Sequence, residues 1–556
     1  SRNIKIQGAA DSVSPGHANE DFGAHIMIHG ASSKGYIKGA ELFRVGQKSI
    51  VGRYPFHWHL GEDSGAGQYF SDNAVHLSFN RAITIHGTDY TTVENNFCYD
   101  HIGHGIFLED GAERFNTIRK NVVVLTKRPL PGDEVTPSDN SNNEAQNRTP
   151  ASFWITNPEN TFEDNVAAGT EGTGFWFIMP TSPLSPSGDL DYYSGLRPHT
   201  RPLDLFARNK AHSCMNGFDI FDQLSSGHAI IKNGGWNNNT RLRVMDQCTW
   251  YANDIAVYAG IGSTNFQKNV IYRDNVFVDN RVALMLATYN VTEDSVFVAD
   301  SGEGLISGKR SLYLTYDGAG IVRNSHFVGW DALNASFLSN IGAATKHPNH
   351  RFSGITTDHA GTVRIVLPDY TAVPPPNLAA TDDLHPRRWS VVLRDEDGSL
   401  SDQADASIVG NHPFLIVGDE YQPPNWTRAY RSDYHFALSV EDSSGRPNVT
   451  VQRSKPGTPD AFVYYIDGYV EHHQLPMIVN GDFTYTYYYE SLPSDRRVTF
   501  RLDDATAGDN VLVRFKDFGK FGGLSVSGHR ARARDSLASL KASDRSAYYI
   551  EPNGDL

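Results

Sequence analysis

Two histidines and an acidic pair stand close together in the stretch 52–63, which reads GRYPFHWHLGED. His57 and His59 are separated by one residue, so on a β-strand both side chains would project from the same face. Imidazoles in this arrangement are typical of divalent-metal sites and of acid–base catalysis. The same pattern also fits two polar side chains on the wet face of a sheet. The predicted secondary structure around these histidines is therefore needed to choose between the two interpretations.

Short apolar strands recur along the chain around this stretch. They include AITIHG, GIFLEDG, SFWITNP, GFWFIMP and GFDIFDQ, and they alternate with asparagine-bearing runs such as TVENNFC, NTIRKNVVV and NTFEDNVAAG. Adjacent copies lie roughly 22 to 30 residues apart, a repeat length typical of solenoid proteins. Asparagine suits the bends because it tolerates left-handed backbone. Strand-length runs without a helical period predict an all-β protein built on a parallel β-helix.

Alignment of the repeats places both histidines on the outward face of this coil. The outward residues of the first rungs fall into two adjacent columns, one with His59, His86 and Glu109 and the other with His57, Thr84, Phe107, Trp154 and Trp176. Neighbouring rungs are about 4.8 Å apart, so the members of one column are neighbours in space.

Three imidazoles beside carboxyl groups permit two kinds of chemistry. His57, His59 and His86 predict a site for a divalent metal, zinc-like in its ligands. Glu109 and Asp110 predict an acid/base pair that acts on a glycosidic bond. The alternative is a purely structural column of hydrogen-bonded histidines, since solenoids often stack like residues.

Other side chains near the columns receive supporting roles. His104 and Arg53 are candidate catalytic residues, the arginine because an anionic substrate needs positive charge. The candidate substrate-binding residues are of three kinds. The outward rings would line a sugar cleft, and an asparagine at the bend and a second arginine would add polar contacts. These residues are Phe107, Trp154, Trp176, Asn157 and Arg119.

The domain organisation follows from the spacing of the strands. We expect the β-helix to occupy residues 1–400, with Pro-, Ser- and Asn-rich insertion loops at 127–150 and 181–203 that serve binding. Alternating strand-like runs with Gly, Pro and Asp turns predict an antiparallel β-sandwich over residues 405–556.

Composition excludes several classes of function. A net charge of −15 argues against nucleic acid as a partner, and an anionic polymer would need a local basic patch or a cation. No run of about 18 apolar residues is present, so no membrane-spanning helix is expected. The three cysteines, Cys98, Cys214 and Cys248, form neither a disulfide framework nor a thiolate metal cluster.

The motifs together resemble a known family. GRYPFHWHLGED, ITIHGT, GHGIFLEDGAERFNTIRKN, ASFWITNPENTFEDNVAAGTEGTGFWFIMP and NKAHSCMNGFDI are similar, in the same order, to the catalytic region of the family of the cell migration-inducing and hyaluronan-binding protein and the cell-surface hyaluronidase. The resemblance implies a right-handed β-helix, endo-hydrolysis of hyaluronan, calcium dependence and an extracellular setting. The family's glycine-rich N-terminal domain and most of its cysteines are not found here, which suggests a compact microbial relative.

The residues and the resemblance together predict a secreted enzyme that cleaves a uronate-containing polysaccharide such as hyaluronan. Two reactions remain open, hydrolysis by paired carboxyls and metal-assisted β-elimination. A non-catalytic glycan-binding or adhesion protein with structural histidines is the alternative of a different class.

Overall fold

A computed structural model of the 556-residue chain shows strands that coil around a common apolar interior. The structure describes residues 3–141, 147–220, 222–231, 236, 243–259, 270–286, 290–299, 301, 310–315, 320–331, 335–338, 350–358, 363–367, 393–410, 421–432, 436–442, 449–453, 461–463, 474–479, 484–489, 498–503, 512–516, 525–526, 529–530, 532–541 and 547–548. These residues fall into two compact units, the first made of Ser1–Leu314, Gly320–Ser339 and Ile355–Val363, and the second of the remainder.

Three parallel sheets form the first unit, and each turn of the chain contributes one strand to each sheet. The sheet that carries the histidines, here called the site sheet, has the strand order Ile26–His29, Phe56–Glu62, Ile83–Thr88, Ile106–Leu108, Ala151–Ile155, Thr173–Phe177, Asn216–Asp219, Ile255–Ala259, Val282–Leu286, Arg310–Thr315 and Ala335–Leu338. Consecutive strands in this order are one turn apart in sequence, which is the connectivity of a parallel β-helix. That prediction is confirmed.

The other two sheets complete each turn. The second sheet has the order Ile4–Gln7, Ala40–Val45, Ala74–Ser78, Phe97–Ile102, Val122–Lys127, Val166–Ala168, Lys210–His212, Thr249–Tyr251, Val276–Val278, Val296–Val298, His326–Val328 and Thr356–Thr357. The third sheet, within this unit, has the order Tyr36–Lys38, Tyr69–Ser71, Thr92–Glu94, Thr117–Arg119, Thr161–Glu163, Leu205–Ala207, Arg243–Asp246, Val270–Arg273, Asn290–Glu293 and Gly320–Arg323.

Asparagine side chains join successive turns at one bend of the coil. The Oδ1 atom of Asn121 accepts hydrogen bonds from the backbone and side chain of Asn96, and the Oδ1 of Asn165 accepts the same pair from Asn121. Asn209 continues this ladder on the next turn. The buried backbone N–H groups at the bend are satisfied in this way, so the coil can turn without losing hydrogen bonds.

Insertions leave the coil at the ends of strands of the site sheet. Residues 128–150 contain a short 3₁₀ turn at Pro137–Asp139, and residues 178–204 contain three more, at Ser187–Asp189, Asp191–Tyr193 and Pro198–Thr200. A third insertion forms a two-stranded hairpin from Gln223–Leu224 and Ile230–Ile231. Two further 3₁₀ turns lie at Ala10–Val13 and Asp63–Gly65.

The second unit contains both parallel and antiparallel pairs. His350–Ser353 pairs in parallel with Leu393–Asp395, which continues antiparallel to Ala406–Gly410 and Ala429–Ser432. Its other antiparallel pairs are Phe436–Asp442 with Gln474–Val479 and with Val498–Asp503, Val449–Arg453 with Ala461–Val463 and with Thr484–Tyr489, and Ser525–Val526 with His529–Arg530. Its other parallel pairs are Ile365–Val366 with Trp426–Thr427, Thr484–Tyr489 with Leu512–Lys516, and Arg532–Ala533 with Ala547–Tyr548. One helix, Leu537–Lys541, follows.

Three expectations about architecture stay predictions. They are the right-handed sense of the coil, the packing of the C-terminal strands into a sandwich, and the domain boundary at residues 400–405. Among the described residues, no helix is both long and apolar enough to cross a membrane. The three cysteines are buried and free.

Candidate functional site

The strand register confirms the two outward columns. His59 pairs with His86, and His57 pairs with Thr84, across adjacent strands of the site sheet. Phe107 follows Thr84 in the second column. The residues that alternate with these, such as Phe56 and Ile83, are fully buried in the coil interior. The period-two alternation of the sequence therefore placed each histidine on the correct face.

One histidine of the first column was missed by the sequence analysis. His29 lies on the preceding strand, opposite His59, and the two rings stack with their centroids 5.0 Å apart. The stretch HIMIHG carries the same alternation as the later strands and is the signal that would have found it. His29 is exposed, so the column runs from solvent at His29 to a buried end at Glu109.

Three imidazoles converge at the centre of the site. One ring nitrogen from each of His57, His59 and His86 lies within 4.8 Å of the other two. The Nδ1 atoms of His59 and His86 are 3.1 Å apart. Two carboxyl groups bracket the last ring, because Glu109 Oε2 is 3.1 Å from His86 Nδ1 and Asp110 Oδ2 is 2.7 Å from His86 Nε2. This geometry brings together all five residues that the sequence assigned to the metal and the carboxyl pair.

Burial and charge set the protonation of these groups. Burial lowers the pKa of His57 to about 3, and burial together with the charge of His86 lowers the pKa of His59 to about 4. Burial opposes the charged form of His86 as well, but Glu109 and Asp110 outweigh it and hold its pKa well above the ordinary value. Likewise, burial would raise the pKa of Glu109, yet the facing His86 holds it below its usual range. His57 and His59 are therefore neutral, and Glu109 is ionised.

The donor set fits a transition-metal ion better than calcium. The Nδ1 atom of His57 lies 3.3 Å from the Gly52 carbonyl oxygen, so the ring carries its proton there and presents a lone pair at Nε2. That Nε2 is buried and has no hydrogen-bond partner among the described residues. A buried acceptor without a partner is costly, and a metal would satisfy it. Calcium prefers six to eight oxygen ligands, so the calcium implied by the resemblance does not fit this triad.

A buried tyrosine holds Glu109 in place. The hydroxyl of Tyr54 donates to Glu109 Oε1 at 2.9 Å, which leaves Oε2 toward the histidines. The guanidinium of Arg81 lies 5.5 Å from the Tyr54 ring and 3.9 Å from the Phe107 ring. Neither Tyr54 nor Arg81 was singled out from the sequence, since neither belongs to the repeating outward columns.

Residues from two insertions cover Asp110. The backbone N–H of Ser187 donates to Asp110 Oδ2 at 3.1 Å, and His228 Nε2 lies 3.6 Å from Asp110 Oδ1. His228 sits in the tip of the hairpin, which the sequence analysis missed. A further buried carboxyl, Glu113, accepts hydrogen bonds from the backbone N–H groups of Gly87 and Asp110. Burial raises the pKa of Glu113 to about 7.

His104 makes its contacts outside this cluster, and its catalytic role stays a prediction. Its ring is fully buried and stacks on Trp154 with centroids 3.9 Å apart. The Nδ1 atom accepts a hydrogen bond from the Ala151 N–H, and Nε2 lies 3.2 Å from Ser138 Oγ. Burial holds the pKa of His104 well below its usual value. The ring therefore acts as a neutral spacer between the coil and the first insertion.

The open row of aromatic rings expected on this face is also not present. Phe107, Trp154 and Trp176 are at most 1% exposed. They pack with Leu184 and Leu224, which are supplied by the second and third insertions. The insertions fold back over the outward face, and the rings become a second hydrophobic core rather than a sugar cleft.

The remaining predicted contacts lie elsewhere. Arg53 is exposed, and its Nη1 is 3.0 Å from His25 Nε2. Arg119 belongs to the third sheet and pairs with Glu94 at 2.9 Å. Asn157 is buried and structural at its bend, since its Nδ2 donates to the Gly111 carbonyl oxygen at 2.8 Å. None of these contacts is to the histidine and carboxyl cluster, and the roles of the three residues toward substrate or catalysis stay predictions.

Comparisons with known proteins show which proteins the coil is similar to. Residues 21–218 match the family model described as the CEMIP beta-helix. Mouse fibrocystin-L is 39% identical over 433 residues, which are 74% of this chain and 9% of that protein. The human cell surface hyaluronidase CEMIP2 is 34% identical over 241 residues, 38% of this chain and 17% of that protein.

A third relative extends the same match. The human cell migration-inducing and hyaluronan-binding protein is 31% identical over 255 residues, 40% of this chain and 18% of that protein. The chain thus spans less than a fifth of the length of each of these three relatives. The matched family region contains the whole histidine and carboxyl cluster described above. Residues 21–218 of this chain are therefore similar to the CEMIP β-helix domain.

Proposed function

We propose that this protein is an extracellular enzyme that cleaves a uronate-containing polysaccharide, such as hyaluronan, within the polymer chain. The observation that carries the proposal is the convergence of His57, His59 and His86 with the carboxyl groups of Glu109 and Asp110. Two relatives named as hyaluronidases, from human and zebrafish, support the choice of substrate class.

In this proposal, the carboxyl groups do the acid–base work. Glu109 is ionised and anchored by the Tyr54 hydroxyl, so its Oε2 is available as a base or nucleophile. Asp110 lies on the opposite side of the His86 ring, which places one imidazole between the two carboxyl groups. Asp110 holds the Nε2–H of His86, which leaves Nδ1 as the nitrogen that a metal would take. Paired carboxyl groups of this kind are what glycoside hydrolysis requires.

The three imidazoles are proposed to hold a divalent transition metal. His57 offers Nε2, and the facing rings of His59 and His86 would complete the set once His86 releases one of its two ring protons to make way for the ion. When bound, such an ion supplies Lewis-acid stabilisation of negative charge on the substrate. The half-exposed side of His59 is the direction from which a sugar reaches the cluster.

Metal-assisted β-elimination is the second candidate reaction on the same substrate. It is favoured by the histidine triad, because elimination needs a cation to neutralise the uronate carboxylate before a base removes the adjacent proton. A non-catalytic glycan-binding protein is the third candidate. For the second unit, we propose that the antiparallel strands of residues 405–556 pack as a β-sandwich that supports glycan binding.

Incubation with a panel of polysaccharides separates these candidates. The purified chain is mixed with hyaluronan, chondroitin and a neutral β-glucan, with and without a chelator. New reducing ends without an unsaturated product indicate hydrolysis, and ultraviolet absorbance of an unsaturated uronate indicates elimination. Cleavage of hyaluronan that the chelator abolishes supports the metal. Binding without cleavage of any polymer would overturn the enzyme in favour of the glycan-binding protein.

A further inference from the structure

A pair of exposed aromatic rings lies at the bend that follows the site sheet. Tyr90 and Phe115 are 42% and 36% exposed, and their rings stack with centroids 5.1 Å apart at 22°. They stand one above the other on adjacent turns, since Tyr90 N–H donates to the carbonyl of Arg114, next to Phe115. The two rings form a flat apolar surface open to solvent.

The backbone at both rings is in a conformation that bulky residues rarely adopt. The φ angle is +66° at Tyr90 and +59° at Phe115, in the left-handed region. Elsewhere in the coil that region is occupied by many Asp, Asn and Gly residues, such as Asp72 and Asn95, and also by larger residues such as Leu77 and Leu125. An exposed aromatic residue with this backbone needs a compensating contact, and a bound ligand is one such contact. Burial is not the reason here, because both rings face solvent.

A cation borders the same surface. The guanidinium carbon of Arg114 lies 5.2 Å from the centroid of the Phe115 ring and 5.9 Å from that of Tyr192. Its Nη2 donates to Asp89 Oδ2 at 3.3 Å, which holds the group beside the rings. Tyr192, which comes from the second insertion, extends the aromatic surface past the arginine. The planar guanidinium suits recognition of a carboxylate.

The two rings lie close to the histidine and carboxyl cluster along the chain. The strand that carries His86 reaches Tyr90 four residues later, and the turn that carries Asp110 reaches Phe115 five residues later. Four residues of extended chain span at most about 13 Å. Tyr90 therefore lies within the length of a short oligosaccharide of His86.

We propose that Tyr90 and Phe115 form a stacking subsite for a sugar ring of an acidic polysaccharide, with Arg114 beside them to hold a carboxylate of the same chain. The inference rests on the proposed function and adds the place where the polymer is held next to the cleavage point. Pyranose rings present a C–H face that packs on aromatic rings, and ring faces carry partial negative charge that attracts such groups.

The test is the double variant Tyr90→Asn with Phe115→Asn. Asparagine tolerates left-handed backbone, so the thermal midpoint of the variant is expected to be unchanged or raised. The KM for hyaluronan is expected to rise about tenfold while kcat changes less than about twofold, because the rings bind the polymer away from the reacting bond. The single variant Tyr90→Asn serves if the double variant does not fold.

A matched control exists on another sheet. Phe97 and Tyr99 are also exposed and stacked, with centroids 6.2 Å apart, but they lie on the second sheet. Their replacement by serine is expected to leave the KM for hyaluronan unchanged. An equal rise of KM in the control would overturn the subsite, as would equal binding of the neutral β-glucan and hyaluronan to the wild type.

Failure of the subsite is distinguishable from failure of the proposed function. If the wild type cleaves hyaluronan and the Tyr90/Phe115 variant keeps its KM, the subsite is wrong and the enzyme stands. If the wild type neither binds nor cleaves any uronate polymer, both fall together.

Discussion

His57 shows how the coil orients a histidine side chain that could hold a metal. Its Nδ1 faces the Gly52 carbonyl at 3.3 Å, its Nε2 is buried without a hydrogen-bond partner among the described residues, and burial lowers its pKa to about 3. The ring is thus neutral and oriented before any ligand arrives. Orientation of an imidazole through its second nitrogen is a recurrent feature of metal sites.

Removal of either triad ligand is expected to abolish stoichiometric metal binding. His57→Ala and His59→Ala each leave two imidazoles, too few to hold a divalent ion tightly. Metal analysis after incubation with zinc and desalting measures the effect. His76→Ala is the control, because His76 pairs with Glu41 on the second sheet. Unchanged metal content in the triad variants would refute the assignment.

Tyr54→Phe is expected to lower kcat/KM about tenfold without unfolding the protein. The variant loses one hydrogen bond to an ionised carboxylate, which contributes about 1.5–3 kcal/mol, and frees Glu109 to turn away from the histidines. Steady-state kinetics with hyaluronan check this. Tyr36→Phe, on an exposed ring of the third sheet, is the control. Equal kcat/KM in Tyr54→Phe and the wild type would show that Glu109 needs no anchor.

Sequence predicted these residues to the extent that they belong to the repeat. His57, His59, His86 and Glu109 follow from period-two alternation and rung alignment, because both are local rules. Tyr54 precedes its strand, outside the repeating columns, so alignment of repeats carries no information about it.

At the scale of elements, the insertions decide which outward residues meet solvent. The first insertion is fastened by Asp139, which pairs with the buried Arg81, while Thr136 Oγ1 accepts a hydrogen bond from Arg81 Nη2 at 3.0 Å. The positions of the insertions could be predicted from the sequence, because they appear as long spacings between successive strands. The folding of these segments back onto Trp154 and Trp176 was not, because it depends on contacts between residues far apart in the chain.

Asp139→Asn is expected to destabilise the protein by about 3–5 kcal/mol. The change leaves the fully buried guanidinium of Arg81 without its charged partner, which is the costly way to break an ion pair. Chemical denaturation measures the loss. Asp133→Asn, at a partly exposed pair with Lys48, is expected to cost at most about 1 kcal/mol. Equal effects in the two variants would contradict the role assigned to Arg81.

We expect the stability of the folded protein to depend on pH through Asp89, which contacts two tyrosines of the second insertion. Burial raises the pKa of Asp89 to about 6, although Arg114 and the hydroxyls of Tyr192 and Tyr193 all donate to it. A raised pKa means that the folded state prefers the protonated acid. This contribution is complete below about pH 4 and is lost as pH rises through about 6.

The variant Asp89→Asn removes this titration. Between about pH 4 and pH 7, wild-type stability is expected to fall by about 2 kcal/mol relative to the variant. Thermal unfolding at the two pH values measures the difference. A constant gap between wild type and variant across this range would show that Asp89 is ionised throughout.

At the scale of the whole molecule, the parallel coil was the most predictable feature. Each turn repeats the same three strands, so the short apolar runs and asparagine bends that predict a parallel coil recur many times along the sequence. The asparagine ladder from Asn96 to Asn209 keeps these turns in register, and the register sets the columns of the site. The third insertion, with its hairpin, interrupts the repeat, and the long gap between GFDIFDQ and DIAVYAG is its only trace in the sequence.

The most direct measurement of the central claim is the chain length of hyaluronan during incubation with wild type, Glu109→Gln and the control Glu94→Gln. Glu94 is a partly buried carboxyl of the third sheet that pairs with Arg119. Wild type and Glu94→Gln are expected to shorten the polymer progressively through internal cuts, and Glu109→Gln to slow this at least about a hundredfold. Intact hyaluronan with the wild type, or equal cleavage by Glu109→Gln, would contradict the assignment of the histidine and carboxyl cluster as an active site.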